Sequence, residues 1–117
     1  MMKRLILFQT VDGLWPYTRW LDSLRDPRAV SLIDVRIARA RLGNLGRHRS
    51  LGHGVVELKI DWGPGYRIYL GQFGEDRIIL LCGGDKKSQH RDIPLAHRYW
   101  FDYKGSLCEN IATIRII

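Results

Sequence analysis

Four side chains in two short stretches are of the types that handle a phosphate. "VVELKI" (55–60) carries Glu57 and Lys59, and "YRIYLGQF" (66–73) carries Arg67 and Tyr69. Residues two apart on a strand share one face of a sheet, and directly opposed residues of paired strands lie within side-chain reach. Between the stretches stands Gly63-Pro64-Gly65, which demands a turn: one residue of fixed φ flanked by two that lack a Cβ. The stretches therefore read as a hairpin, with Glu57, Lys59, Arg67 and Tyr69 together on its solvent side. The segment after the next strand adds Lys86, Lys87 and Gln89 at the end of the same sheet. A face built of Lys, Arg, Tyr and Gln can grip phosphates, stack a base and stabilise a pentacovalent phosphorus. The same alternation also fits a salt-bridge ladder on the wet side of an antiparallel sheet, and the pattern alone does not separate the two.

Other constellations offer less. The histidines His48, His53, His90 and His97 show no metal-ligand spacing, so no metal is expected. "GHG" (52–54) has no strand–turn–helix around it and is not a dinucleotide fingerprint. Ser50 and Ser88 have no base and carboxylate arranged beside them as a hydrolase nucleophile needs. Cys82 and Cys108 lie far apart; Cys82 sits in an apolar run, where a free cysteine behaves as a small hydrophobe. Neither a disulfide nor a redox role is expected.

The elements that must position the cationic face follow from periodicity. Lys3 and Arg4 precede Leu5-Ile6-Leu7-Phe8, too few apolar residues for a signal-peptide core, so the start reads as a strand and the protein as cytoplasmic. Asp12 can cap a helix begun by Pro16, with Tyr17, Trp20, Leu21 and Leu24 on one face. Asp26-Pro27 starts a second helix whose stripe is Val30, Ile33, Ile37 and Ala40; Gly43–Gly46 ends it. Strands over 55–60, 66–73 and 77–82 form a meander, with Val56, Leu58, Ile60, Ile68 and Leu70 turned inward. Gly83 to Lys87 reads as a loop, and Asp92 as the cap of a last helix with Pro94 in its first turn. The order predicts a single α+β domain with the helices on one face of the sheet. Residues 105–117 fit either a last strand or a frayed tail.

With 117 residues the chain can bury one core, and no apolar run is long enough to cross a bilayer. The formal charge of +7 is concentrated: residues 36–59 carry six basic side chains (Arg36, Arg39, Arg41, Arg47, Arg49, Lys59) against Glu57 alone. Such a field suits a polyanion or an acidic protein segment. A solvated basic face fits that charge equally well.

"RIARARLGNLG" (36–46), "GHGVVELKIDWGPGYRIYL" (52–70) and "LLCGGDKKSQHRDIPLAHRYW" (80–100) together resemble the RelE/ParE superfamily of bacterial toxins, in its phage-related, HigB-like addiction-module killer branch. The resemblance runs from about Thr10 to Tyr103. It implies a RelE-like fold over residues 1–104, a helical hairpin packed on a small antiparallel sheet with a C-terminal helix, and gives no counterpart for the tail from Gly105. It further implies a type II toxin that cleaves mRNA without a metal or other cofactor, free or on the ribosome. The expected partner is a cognate helix-turn-helix antitoxin, through which alone the toxin meets operator DNA. Carried onto this chain, the catalytic positions are Lys59, Arg67 and Lys86, and the RNA-binding positions Arg49, Tyr69, Lys87 and Gln89. Arg36 and Arg39 are expected to meet an acidic antitoxin segment. "GRHRSLGHG" (46–54) departs from the branch in having no acidic residue after its first glycine, and no tyrosine of the last helix matches a catalytic one, so the general base is unassigned. The alternatives are a ParE-like gyrase poison without nuclease activity and a degenerate toxin that only binds its antitoxin and DNA.

Overall fold

The computed structural model describes residues 2–116, with side chains through Leu107. Strand β1 (Arg4–Leu7) leads into α1 (Pro16–Ser23) and α2 (Pro27–Arg41); β2 (His48–Gly52), β3 (Val55–Ile60), β4 (Tyr66–Phe73) and β5 (Arg77–Asp85) follow. A 3-10 turn over Lys86–Ser88 then feeds α3 (Gln89–Ile116). The five strands make one α+β sheet in the order β1-β5-β4-β3-β2. β1 pairs parallel to β5 and the remaining ladders are antiparallel, so the sheet is mixed rather than antiparallel throughout.

The helices lie on both faces of this sheet, not on one. α1 and α2 bury Tyr17, Ala29, Ile33, Ile37 and Ala40 against Val56, Leu58, Ile60, Ile68 and Leu70. α3 covers the opposite face, where Ala96 and Trp100 pack with Val55, Tyr69, Ile79 and Leu81. The face that carries Glu57 and Arg67 is therefore roofed: Glu57 and Tyr69 have no exposed surface and Arg67 retains 6%. Period-2 alternation reports which residues share a face, but not whether a later helix will cover that face. Gly71 permits the contact, because a Cβ there would lie 2.3 Å from the Trp100 ring.

The local signals differ from expectation at five places. β2 was not anticipated, since four of its five residues are exposed and it is held by its ladder to β3. Pro16 starts α1, but the residue before it is Trp15, which makes no capping bond; Asp12 instead accepts from the Thr10 hydroxyl at 2.5 Å. Gly83 and Gly84 belong to β5 rather than to a loop. The cap beyond that strand is Asp85, whose carboxylate accepts from the Lys87 and Ser88 amides at 2.9 and 3.1 Å. α3 thus begins at Gln89, which puts Pro94 in its second turn and Asp92 inside it, taking the Ser88 hydroxyl at 2.5 Å. The helix continues through 105–116, where a strand or a tail had been expected; the Cys108 side chain lies outside the described residues.

A bulge between Tyr69 and Leu70 re-aims the end of β5. Leu81 is the extra residue, so Cys82 sits beside Tyr69 on the α3 side and Gly84 stands opposite Arg67.

Candidate cationic cleft

The β3–β4 register sets Glu57 opposite Tyr69 and Lys59 opposite Arg67. The first pair is a closed unit. Tyr69 Oη donates to Glu57 Oε2 at 3.0 Å, and Gln89 Nε2 from the start of α3 donates to the same oxygen at 3.1 Å. Arg49 on β2 brings Nη2 to 3.2 Å from Oε1, an ion pair whose alignment falls short of a hydrogen bond. Burial, and then the neighbouring Glu57 charge, push the Tyr69 hydroxyl well above the ordinary phenol range, so it stays a proton donor. Tyr69 therefore has no surface on which to stack a base; it orients Glu57.

The second pair is open. Lys59 and Arg67 are like charges set directly opposite each other, an arrangement that costs stability in a ladder. Because Glu57 is taken up by Tyr69, Gln89 and Arg49, it does not neutralise them. Among the described residues no acidic side chain makes an ion pair with either cation. The Arg67 guanidinium gives Nη1 to the Tyr66 carbonyl at 3.0 Å, while its buried Nε has no hydrogen-bond partner. Of its nitrogens, Nη1 and Nη2 are the ones near the Gly65 backbone, and the guanidinium carries its charge into the end of the sheet without a carboxylate beside it among the described residues.

Arg67 opens on a cleft of about 360 Å³ at the end of the sheet, walled by Arg47, Asp61, the Trp62–Gly65 turn and Lys86. The turn is shaped for this. Gly65 has φ +79°, and a Cβ on it would lie 3.4 Å from Arg67 Nη1 and 3.5 Å from Lys86 Cβ. Its bare backbone thus lies alongside both cationic residues. Trp62 ties the turn down, donating Nε1 to Asp26 Oδ2 at 2.9 Å, while Oδ1 of that carboxylate caps α2 through the Arg28 amide. The Trp62 bond, with the capping amides and Arg28 adding to it, holds the Asp26 carboxyl below the usual carboxylate range. Arg28 lies 4.7 Å over the Trp62 ring. Arg47 closes the cleft's far wall through its ion pair with Asp61.

The structure thus brings Lys59, Arg67 and Lys86 to one end of the sheet and places Arg49 and Gln89 around the buried Glu57. Lys87 is exposed on the 3-10 turn. Arg36 and Arg39 separate. Arg36 is a staple, donating to the carbonyls of Lys59, Leu45 and Arg47 at 2.5, 2.9 and 2.8 Å, and so is committed to its own fold. Arg39 is exposed on α2 and remains open to a partner. Arg41 is likewise engaged, donating Nε to the Lys3 carbonyl at 3.0 Å. Much of the concentrated charge of 36–59 is therefore internal wiring. Asp61 and Arg47 were not anticipated as walls; the signal was an acidic residue beside the turn and a basic one before β2, too common to single out.

The geometry defines an α+β domain with a cleft at one sheet end, where Asp61 pairs with Arg47 while Arg67 and Lys86 have no acidic partner among the described residues. The chain is 45% identical over 80 residues to a protein of Haemophilus influenzae described as an uncharacterized protein, a match spanning 68% of this chain and 81% of that relative. It belongs to the family of that protein. No family model matches the chain, and no solved structure does. No described helix is long and apolar enough to cross a membrane.

Proposed function

We propose that the chain is the toxin of a type II toxin–antitoxin pair, of RelE/ParE type, and that it cleaves mRNA at the Lys59–Arg67–Lys86 cleft. The observation that carries this reading is Arg67, which shares a cleft with Lys86, stands opposite Lys59 in the β3–β4 ladder and has no acidic partner among the described residues. An enzyme stabilises a charged transition state best with donors fixed before the reaction. The scissile phosphate lies across Arg67 with Lys59 and Lys86 on its other oxygens. The ribose 2′-hydroxyl loses its proton to a base and attacks the phosphorus in line; the P–O5′ bond breaks and the leaving oxygen takes up a proton. The products are a 2′,3′-cyclic phosphate and a free 5′-hydroxyl. Arg39, exposed on α2, is the point at which an acidic antitoxin segment would dock.

Primer extension on cellular mRNA after brief induction, with wild type and Arg67→Ala in parallel, tests the reading. New discrete 5′ ends from wild type and none from the folded variant are expected. Growth arrest without new ends, accompanied by gyrase-dependent DNA breakage, would overturn it in favour of a gyrase poison.

A further inference from the structure

A second feature lies further along α3, apart from the cleft. Gln89, Ile93, His97 and Phe101 recur every four residues and so form one stripe of the helix. At its start, Gln89 holds Glu57, to which Arg49 of β2 is also drawn. One turn on, Ile93 and Leu51 of β2 pack into the same apolar cluster. Further along, the His97 ring meets His53, from the β2–β3 turn, with centroids 6.1 Å apart and planes nearly perpendicular. Phe101 then stands 75% exposed, the most exposed aromatic residue described beyond the start of α3. His53, His97, Trp100, Phe101 and Lys104 together line a shallow groove of about 250 Å³.

The groove's parts are held in place without using up its faces. Trp100 Nε1 donates to the His53 carbonyl at 2.7 Å, which fixes the β2–β3 turn against α3. Tyr103 stacks on Trp100 at 5.7 Å, with planes 6° apart. Lys104 Nζ lies 5.2 Å from the Trp100 ring centroid. His53 adopts φ +58° between two glycines, a left-handed conformation that a glycine or asparagine would adopt at less cost. What stays open is one phenyl ring, two imidazole edges and a cation. Bases of single-stranded nucleic acid stack on such rings irrespective of sequence, while nearby cations take the backbone.

We propose that this groove is a nucleobase subsite, which holds an unpaired base of a single-stranded RNA one or more nucleotides away from the phosphate bound at Arg67. The inference rests on the ribonuclease reading above. The RNA runs along the seam between β2 and α3, past Arg49, with its base against Phe101 and the imidazoles and its backbone near Lys104.

The test is binding of a fluorescently labelled, mixed-sequence single-stranded RNA, 2′-O-methylated throughout so that it lacks the attacking hydroxyl. Wild type is compared with Phe101→Ala/His97→Ala, Phe101→Trp and Arg67→Ala, each first shown to unfold at a temperature close to wild type. The double variant is expected to bind roughly 10-fold more weakly, the loss of about one stacked base, with Phe101→Trp binding at least as well as wild type. Equal binding by wild type and the double variant, with Arg67→Ala weakened, would overturn the subsite and leave the ribonuclease reading standing. Absence of RNA binding by wild type would overturn both.

Discussion

Lys59 and Arg67 are direct partners across the β3–β4 ladder, two cations on one face with no acidic side chain paired to either among the described residues. A sheet selected only for stability would place a carboxylate or an apolar residue at one of these positions. The nearest candidate, Glu57, sits two residues before Lys59 on the same strand face and is engaged elsewhere. Two adjacent cations left uncompensated are what the proposed phosphate site would require, at a cost in stability.

At Arg67 activity and stability are expected to move in opposite directions. Arg67→Met removes a buried charge and an unsatisfied N–H while keeping an apolar stem of similar length. RNA cleavage is expected to fall by about 10²–10³, the usual cost of one preorganised electrostatic contact. Stability is expected to rise by about 1 kcal/mol, through relief of the like-charge pair. Primer extension and a thermal melt on the same preparation check both; a variant that is both less stable and fully active would remove Arg67 from the site.

The Glu57 unit makes a second prediction. Tyr69→Phe leaves a buried carboxylate oxygen short of a donor, at a cost of about 2 kcal/mol. Glu57→Gln costs less, because an amide oxygen still accepts from Tyr69. The double variant should lose less than the sum of the two, since Glu57→Gln weakens the same charge-assisted bond that Tyr69→Phe removes. Denaturant unfolding of the three variants measures this coupling, and strict additivity would mean that the Glu57 charge adds nothing to the hydrogen bond.

What the sequence disclosed about this architecture depended on how local each signal was. Ile33, Ile37 and Ala40 lie at helical spacing and are buried as that spacing requires. Val56, Leu58, Ile60, Ile68 and Leu70 alternate and form the inner face. Those patterns arise within one element. β2 escaped because His48-Arg49-Ser50 has no apolar alternation; pairing with β3 makes it a strand. The parallel docking of β1 beside β5 and the arrival of α3 over Tyr69 join segments far apart in the chain. The cationic positions were legible as types on a shared face, but their separation into a satisfied Glu57 unit and an open Arg67 cleft depends on where Gln89 and Arg49 come to rest. Arg36 shows the same limit, since three carbonyls from separate segments claim it.

Gly71 provides a test of the α3 roof. A methyl group there would lie 2.3 Å from the Trp100 ring, within the close-packed interface. Gly71→Ala should therefore displace the helix or strain β4, destabilising the protein by about 1–3 kcal/mol. The near-ultraviolet circular dichroism of Trp100 should change with it. An unaltered melt and spectrum would show that α3 does not rest on the sheet at this point.

Alkaline stability follows from three buried protons. Burial is the main cause that raises the pKa of Tyr17, Tyr69 and Cys82, with the Asp34, Glu57 and Asp92 charges respectively adding to it. The folded state thus holds these protons more tightly than the unfolded chain, where tyrosine ionises near pH 10 and cysteine near about 8.5. Where the folded state binds more protons, stability falls as pH rises. The contribution is complete below about pH 8 and declines progressively from there upward. Two-state denaturant unfolding from neutral to strongly alkaline pH should show that decline, and Tyr69→Phe should make it shallower. Tyrosinate absorbance from Tyr69 should develop together with the loss of structure. If that absorbance titrated fully while the fold remained intact, the phenol would be reaching solvent and the closed Glu57–Tyr69–Gln89 unit would not exist.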